Sequence, residues 1–404
     1  MNNRALWPTV LVASLGYFVD IFDLQLFNIV SQASLKGIGI TDPAQLAEYD
    51  YTLFLWQMTG MLIGGLVWGI LGDIKGRRNI LMGSILIYSL ANIANGFVQD
   101  ATSYAVIRFF AGVGLAGELG AGITLVGESM SVEKRGYGTI LVATLGGLGA
   151  VTAGLAGDFL PWRTAFIAAG CAGFLLLLLR MKAMETGIFE TARRTAKHKG
   201  SLFHLFNNRL RVKRYLACIL MGVPIWYSVG ILITLTPELT LEHSLPPLKA
   251  SLCFILFQCG VTAGDLSSGI LSQLVKSRKR ILLAYMFLAI ASTLLHFYNL
   301  YSASSIYISS LLIGLGCGYL SVFVTTTSEH FGTNLRVTVT ATVTNFMRGA
   351  VTLLIPLRIF VQETFATGIT TSLICVGLLV WIPALAAAWW LPETYGRDLD
   401  FIEE

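Results

Sequence analysis

At 404 residues, with 55% hydrophobic and only 13% charged residues and a mean hydropathy of +0.70, the chain is too apolar for a soluble globular protein of its size. The formal net charge of +5 comes from basic residues clustered between apolar stretches, not from a stripe along one soluble face, which excludes a nucleic-acid binder. The six cysteines (Cys171, Cys218, Cys253, Cys259, Cys317, Cys375) sit inside apolar stretches without metal-type spacing, so no disulfide framework, zinc site or other metal or cofactor is expected.

A hydrocarbon core of about 30 Å requires roughly 20 apolar residues in helix. Such windows predict twelve spans, near 6–30, 51–72, 79–98, 103–129, 137–159, 163–182, 213–237, 248–273, 280–298, 304–328, 337–361 and 369–391. The first is long, carries Asp20 and Asp23 and has no small-residue cleavage site, so it reads as a span and not a signal peptide. The fourth holds Arg108 and Glu118, and the fifth is glycine-rich, which allows close helix packing. The basic stretch from Lys182 to Arg214 divides the spans six and six, giving bundles at 1–183 and 213–404 joined by a linker at 184–212. The seventh span contains Gly222-Val-Pro224-Ile-Trp226-Tyr227, where proline permits a bend and the two aromatics are placed either to stack on a substrate or to pack. The eighth carries Asp265, in a gating or packing role, and the eleventh carries Asn345 and Arg348. About 22 of the 28 Lys and Arg residues fall on one side of these spans, so the positive-inside rule puts both termini in the cytoplasm.

Two segments repeat at an offset of about 200 residues, the separation expected of a transporter built from internal repeats. Gly69-Ile-Leu-Gly72-Asp73-Ile-Lys75-Gly76-Arg77-Arg78 closes the second span, and Gly269-Ile-Leu-Ser272-Gln273-Leu-Val-Lys276-Ser277-Arg278-Lys279 closes the eighth. Glu128 and Arg135 after the fourth span match Glu329 and Arg336 after the tenth at the same internal spacing. Asp73 at a helix end beside Arg77 and Arg78 suits a conformational latch made of ion pairs and helix-end contacts, the alternative being membrane anchors alone.

At these residues the chain resembles the major facilitator superfamily, whose cytoplasmic signature G-x-L-x-D-x-x-G-R-R is met by Gly69 to Arg78. Arg108-Phe-Phe-Ala-Gly112-Val-Gly114, Pro161-Trp162-Arg163 and the closing Pro392-Glu393-Thr394-Tyr-Gly396-Arg397 extend the resemblance over the whole chain. Asp20-Ile-Phe-Asp23, Gly117-Glu118, and Asn345-Phe-Met-Arg348 with Pro356 are most similar to the metabolite–proton and aromatic-acid–proton symporters. Departures from the pattern are Ala116 in the Gly-Gly-Glu slot and Gln273 and Ser277 in the second signature copy. The resemblance implies an all-α membrane protein of twelve helices in two pseudo-symmetric six-helix bundles, a monomer in a bacterial inner membrane.

An ionisable group inside a span costs at least ~2.5 to 3.5 kcal/mol and is by default a functional hypothesis. At ~1.5 Å per residue, Asp20 and Asp23 lie at nearly the same depth as Arg108, and an acid–Arg pair across the first and fourth spans is geometrically natural. The family uses such a pair for proton coupling. A neighbouring Arg favours the ionised form of a carboxyl group, and separation in an apolar interior favours the protonated form, so a conformational change can load and release a proton. The alternative is a static ion pair joining two helices. Glu118 is a second proton site or a structural partner of a polar neighbour. Arg348, near midplane with Asn345 one turn before it, suits a carboxylate through bidentate hydrogen bonds, or else pairs with an acid of another helix.

The five histidines are scattered, and no catalytic triad, phosphate loop or metal cluster is present, so an enzyme is not expected. The seventh span lacks the amide cluster that sugar porters use for hydroxyls, which disfavours a sugar. The expectation is a proton-coupled symporter that takes up a small carboxylate-bearing metabolite by alternating access. A proton-driven exporter of a metabolite or drug is the alternative, and the absence of a Gly-Pro element in the fifth span counts against it.

Overall fold

The computed structural model describes residues 3–130, 135–184, 202–245, 248–298, 300, 302–398 and 401–403. Its elements among these residues are all helical: α1 (Asn3–Gly37), α2 (Pro43–Lys75), α3 (Arg77–Asn95), α4 (Ala101–Leu115), α5 (Glu118–Ser129), α6 (Arg135–Phe159), α7 (Trp162–Met184), α8 (Leu202–Phe206) and α9 (Arg209–Tyr227). A π-helical segment, Ser228–Ile233, then leads to α10 (Thr236–Glu242), α11 (Ala250–Leu274), α12 (Arg278–Tyr298), α13 (Ala303–Cys317), α14 (Leu320–Glu329), α15 (Arg336–Gly349), α16 (Val351–Thr364) and α17 (Ile369–Trp390). Among the described residues, 11 helical stretches are long and apolar enough to cross a membrane, and Asn79–Asn95 is a shorter apolar helix. Large side chains such as Phe159 and Leu353 stand 80% and 75% exposed on helix surfaces, as a lipid solvent requires.

Four of the expected continuous spans are interrupted. The fourth breaks at Ala116-Gly117, the tenth at Gly318-Tyr319 and the eleventh at Ala350, and the seventh passes into the π-helical segment. In the seventh the cause is local. Pro224 lacks a backbone N–H, which leaves the Leu220 carbonyl without its usual intrahelical donor, and the Ser228 hydroxyl at the start of the π-helical segment donates to the Pro224 carbonyl at 2.9 Å. At the tenth, Gly318 crosses so close to Gly264 that a Cβ on Gly264 would lie 2.8 Å from the Gly318 Cα.

The helices gather into two compact units. One is Met1–Asn207 with Phe331–Asn345 and Asp398–Glu404; the other is Asn208–His330 with Phe346–Arg397. In the first, α1 packs on α6, α2 on α4 and α3 on α7; in the second, α11 packs on α13, α12 on α13 and α9 on α17. The sequence repeat has a packing counterpart. Gly60 meets the Phe109 backbone and Gly112 meets Gln57 where α2 crosses α4; about 200 residues on, Gly260 meets Leu311 and Gly314 meets Phe257 where α11 crosses α13. Each crossing brings backbones together through small residues, which is how helices associate when the solvent is as apolar as the side chains.

Candidate functional site

The first unit buries a dense group of polar side chains among α1, α3, α4 and α7. Asp20, Asp23 and Arg108 are all 0% exposed. Asp23 and Arg108 are electrostatic partners, and the Asn92 side chain lies beside the Asp23 carboxyl group. Among the described residues no hydrogen bond joins the Asp23 carboxyl group to any of the three Arg108 guanidinium nitrogens. The guanidinium rests instead on aromatic faces, 4.3 Å from the Phe27 ring centroid and 5.5 Å from that of Phe166. Asp23 of α1 and Arg108 of α4 thus lie within electrostatic reach of each other without a hydrogen-bonded bridge. Two buried charges in this arrangement are expensive.

Glu118 has a different environment. It opens α5 at the break after α4, and Arg180 of α7 grips it through Nη2–Oε2 at 2.7 Å and Nη1–Oε1 at 3.1 Å. The Ser84 hydroxyl donates to Oε1 at 2.7 Å, and Arg180 Nη1 also donates to the Leu81 carbonyl at 3.1 Å. A Cβ on Gly16 of α1 would lie 2.6 Å from Glu118 Oε2, so α1 passes directly against the pair. Arg180 is the residue that sequence reasoning missed. Inside the expected sixth span but not singled out there, it is a buried member of α7, 1% exposed. The signal available was its position at the end of a run of five leucines, still inside the apolar window.

Asp73 is bound at long range in sequence. Its carboxylate accepts from the backbone N–H groups of Val337 at 3.2 Å and Thr338 at 2.9 Å and from the Thr338 hydroxyl at 2.7 Å, all within the first unit. It thus caps the N-terminus of α15, where a negative charge also meets the positive end of the helix dipole. Arg336, at the start of the same helix, donates from Nε to the Phe331 carbonyl at 3.3 Å. Gly69 lies against Thr338, and Gly76 takes a φ of 91°, a conformation that favours glycine. The side chains of Arg77, Arg78, Glu128 and Arg135 lie outside the described residues. Asn345 donates from Nδ2 to the carbonyls of Ala116 at 3.0 Å and Ala341 at 2.8 Å, satisfying a carbonyl at the α4 break.

In the second unit Arg348 is 2% exposed and its guanidinium lies 5.7 Å from the Trp226 ring. Tyr227, the next residue, turns the other way and donates to the Leu373 carbonyl at 2.7 Å. That engagement with α17 is a packing role. Glu329 is paired with Arg278 at 3.6 Å, and Arg278 also bonds the Ser272 hydroxyl at 2.8 Å. Glu393 accepts from the backbone N–H groups of Arg278 at 2.9 Å and Lys279 at 3.3 Å and from the Ser277 hydroxyl, so it caps α12. Burial works to raise its pKa, but these bonds and those from Thr394 and Tyr395 N–H hold the carboxyl group below its usual range. Ser277, one of the departures from the signature, thus takes part in a helix cap closed by a glutamate from the C-terminal segment. Asp265 likewise caps α14, accepting from Ser321 N–H at 3.0 Å.

Comparison with known proteins agrees with these features. The family model described as Major Facilitator Superfamily matches residues 13–356. The 3-(3-hydroxy-phenyl)propionate transporter of Escherichia coli is 27% identical over 291 residues, 70% of this chain and 69% of that one. The niacin transporter of Acinetobacter baylyi is 30% identical over 179 residues, 43% of this chain and 40% of that one. Among solved structures, the proton:xylose symporter XylE superposes with a TM-score of 0.75 at 16% identity, covering 99% of this chain and 98% of that one, which shows a shared fold. With a family model over most of its length, a fold to match and many apolar helices, the chain belongs to the Major Facilitator Superfamily, as a multi-pass membrane transporter of small molecules and not an enzyme.

Proposed function

We propose that the protein is a proton-coupled symporter that takes up a small aromatic carboxylate. The observation that carries this reading is the Asp23–Arg108 arrangement: two opposite charges, fully buried, facing each other without a hydrogen bond. A locked ion pair would hold its proton state; two charges held apart by ring faces are poised to change it. Protonation of Asp23 removes one charge and leaves Arg108 to its aromatic contacts, and approach of the guanidinium expels the proton again. Asp20, on the same face of α1, and the Glu118–Arg180 pair beneath it form the electrostatic surroundings of that step.

Arg348 beside Trp226 supports the substrate class. A guanidinium offers paired donors to a carboxylate and an indole offers a face to an aromatic ring. Two relatives are named for aromatic acids, 3-(3-hydroxy-phenyl)propionate and niacin. The Asp73 cap on α15 serves as a latch that must open during the transport cycle, since its bonds fix one placement of the α15 N-terminus. The reading further takes twelve membrane spans in six-helix halves, 1–183 and 213–404, with the linker and both termini in the cytoplasm. The protein works as a monomer in a bacterial inner membrane.

Uptake of labelled nicotinate and 3-(3-hydroxyphenyl)propionate into proteoliposomes, with and without an imposed inward proton gradient, tests this. The gradient should drive accumulation, and Arg348→Gln should weaken it. Accumulation that ignores the gradient, or an Arg348→Gln protein indistinguishable from wild type, would contradict the coupling and the recognition respectively.

A further inference from the structure

Resting on the proton-coupling reading above, we propose that α3 carries the proton between the outer face and Asp23, along a row of buried polar side chains inside the first unit. Ser84, Tyr88, Asn92 and Asn95 recur at spacings of four, four and three, which places them on one face of α3. All four are 0% exposed, whereas Leu86 and Leu90, on other faces of the helix, are 43% and 53% exposed. The row spans about 16 Å at ~1.5 Å per residue.

Three of the four adjoin the charged groups. Ser84 donates to Glu118. Tyr88 is within electrostatic reach of Glu118, Arg180, Asp20 and Asp23, and its hydroxyl makes no hydrogen bond among the described residues. Asn92 lies beside Asp23, which faces Arg108 on the α4 side. Asn95, one turn further, is the last residue of α3, and the carbonyl of the following Gly96 accepts from Arg163 at 2.9 Å. Both the nitrogen and the oxygen of the Asn95 amide are buried without a hydrogen-bond partner among the described residues.

Buried amides left without partners cost free energy, and a sequence under no functional constraint would fill these positions with apolar side chains. A row of amides offering donors and acceptors suits hydrogen-bonded water, through which a proton passes by exchange along the chain. Beside Asn92 hydronium transfers a proton to the Asp23 carboxylate, yielding the carboxylic acid and water, and the return step regenerates hydronium. This route lies within the helix bundle, so the proton need not share a path with the substrate.

Asn92→Leu and Asn95→Leu test the proposal on the purified full-length protein, with no substrate required. After a pH jump, stopped-flow infrared spectroscopy follows the carboxyl band that Asp23→Asn abolishes. Each Leu variant should slow protonation by about tenfold or more, and Asn95→Leu should also leave the final extent unchanged and raise thermal stability, because it removes an unpartnered amide at similar volume. Asn92→Ser and Asn95→Ser, which keep a polar group, should slow it far less. Protonation at the wild-type rate in both Leu variants would overturn the route while leaving the coupling assignment intact, and so would a loss of stability in Asn95→Leu, since it would mean that amide is structurally bonded. Absence of any band lost in Asp23→Asn would overturn both the coupling assignment and the route.

Discussion

Replacing Arg180 with methionine removes the partner that the structure gives Glu118 and leaves a buried carboxylate at the start of α5. Two charge-assisted bonds, at 2.7 and 3.1 Å, and the bond to the Leu81 carbonyl are lost together. Breaking a buried ion pair from one side costs about 3–5 kcal/mol, because the remaining charge stays desolvated. For a unit of roughly 200 residues, at ~2–4 °C per kcal/mol, the fall in Tm is on the order of 10 °C. Removing both charges, in Glu118→Leu with Arg180→Met, should recover most of that loss, since an apolar pair of similar volume avoids the desolvation cost. Thermal denaturation of the two single variants and the double variant closes the cycle. The reasoning is refuted if Arg180→Met melts within a degree of wild type, or if the double variant is as unstable as the sum of the singles.

Other consequences follow from the same geometry. Gly16→Ala pushes a methyl group into the Glu118–Arg180 pair and should destabilise by about 1–3 kcal/mol; a Tm equal to that of wild type would show that the pair moves aside freely. Asp73→Ala removes the α15 cap, worth about 0.5–2 kcal/mol, and hydrogen exchange at the amides of Val337 and Thr338 should accelerate by roughly 2- to 30-fold, the same energy expressed as a ratio. Unchanged exchange there would show that the α15 N-terminus does not depend on Asp73. The Glu393 pKa is depressed in the folded state, so its contribution to stability is present above the unfolded value of about 4.3 and is lost as pH falls through the folded pKa. Hydrogen exchange at Arg278 and Lys279 should therefore rise on acidification below pH ~4, and in Glu393→Gln that acid-side rise should be absent.

Much of the architecture was legible because the bilayer demands long apolar helices and because the Gly69–Arg78 segment recurs about 200 residues later. The helix interruptions were not: Ala116-Gly117 and Gly318-Tyr319 carry no proline, and the breaks depend on partners such as Asn345 and Gly264 that are distant in sequence. Asp20, Asp23 and Arg108 stood out because charge inside a span is costly and rare. Arg180 was hidden by its place at the edge of a basic stretch, where a single arginine reads as an anchor, and its partner lies 62 residues away. The bonds from Asp73 to α15 were not legible, because their partners lie some 265 residues later in the sequence. The polar row on α3 was present in the spacing of Ser84, Tyr88, Asn92 and Asn95, but amides and hydroxyls carry a weaker signal than charges, and only burial gave the row meaning.

Substrate-driven proton movement tests the central claim most directly. In proteoliposomes enclosing a pH-sensitive dye, with no imposed gradient, addition of 3-(3-hydroxyphenyl)propionate or nicotinate to wild-type protein should acidify the lumen. In Asp23→Asn, substrate exchange should persist without that signal. Substrate entry into wild-type vesicles with no accompanying proton, or an undiminished proton signal in Asp23→Asn, would contradict the account.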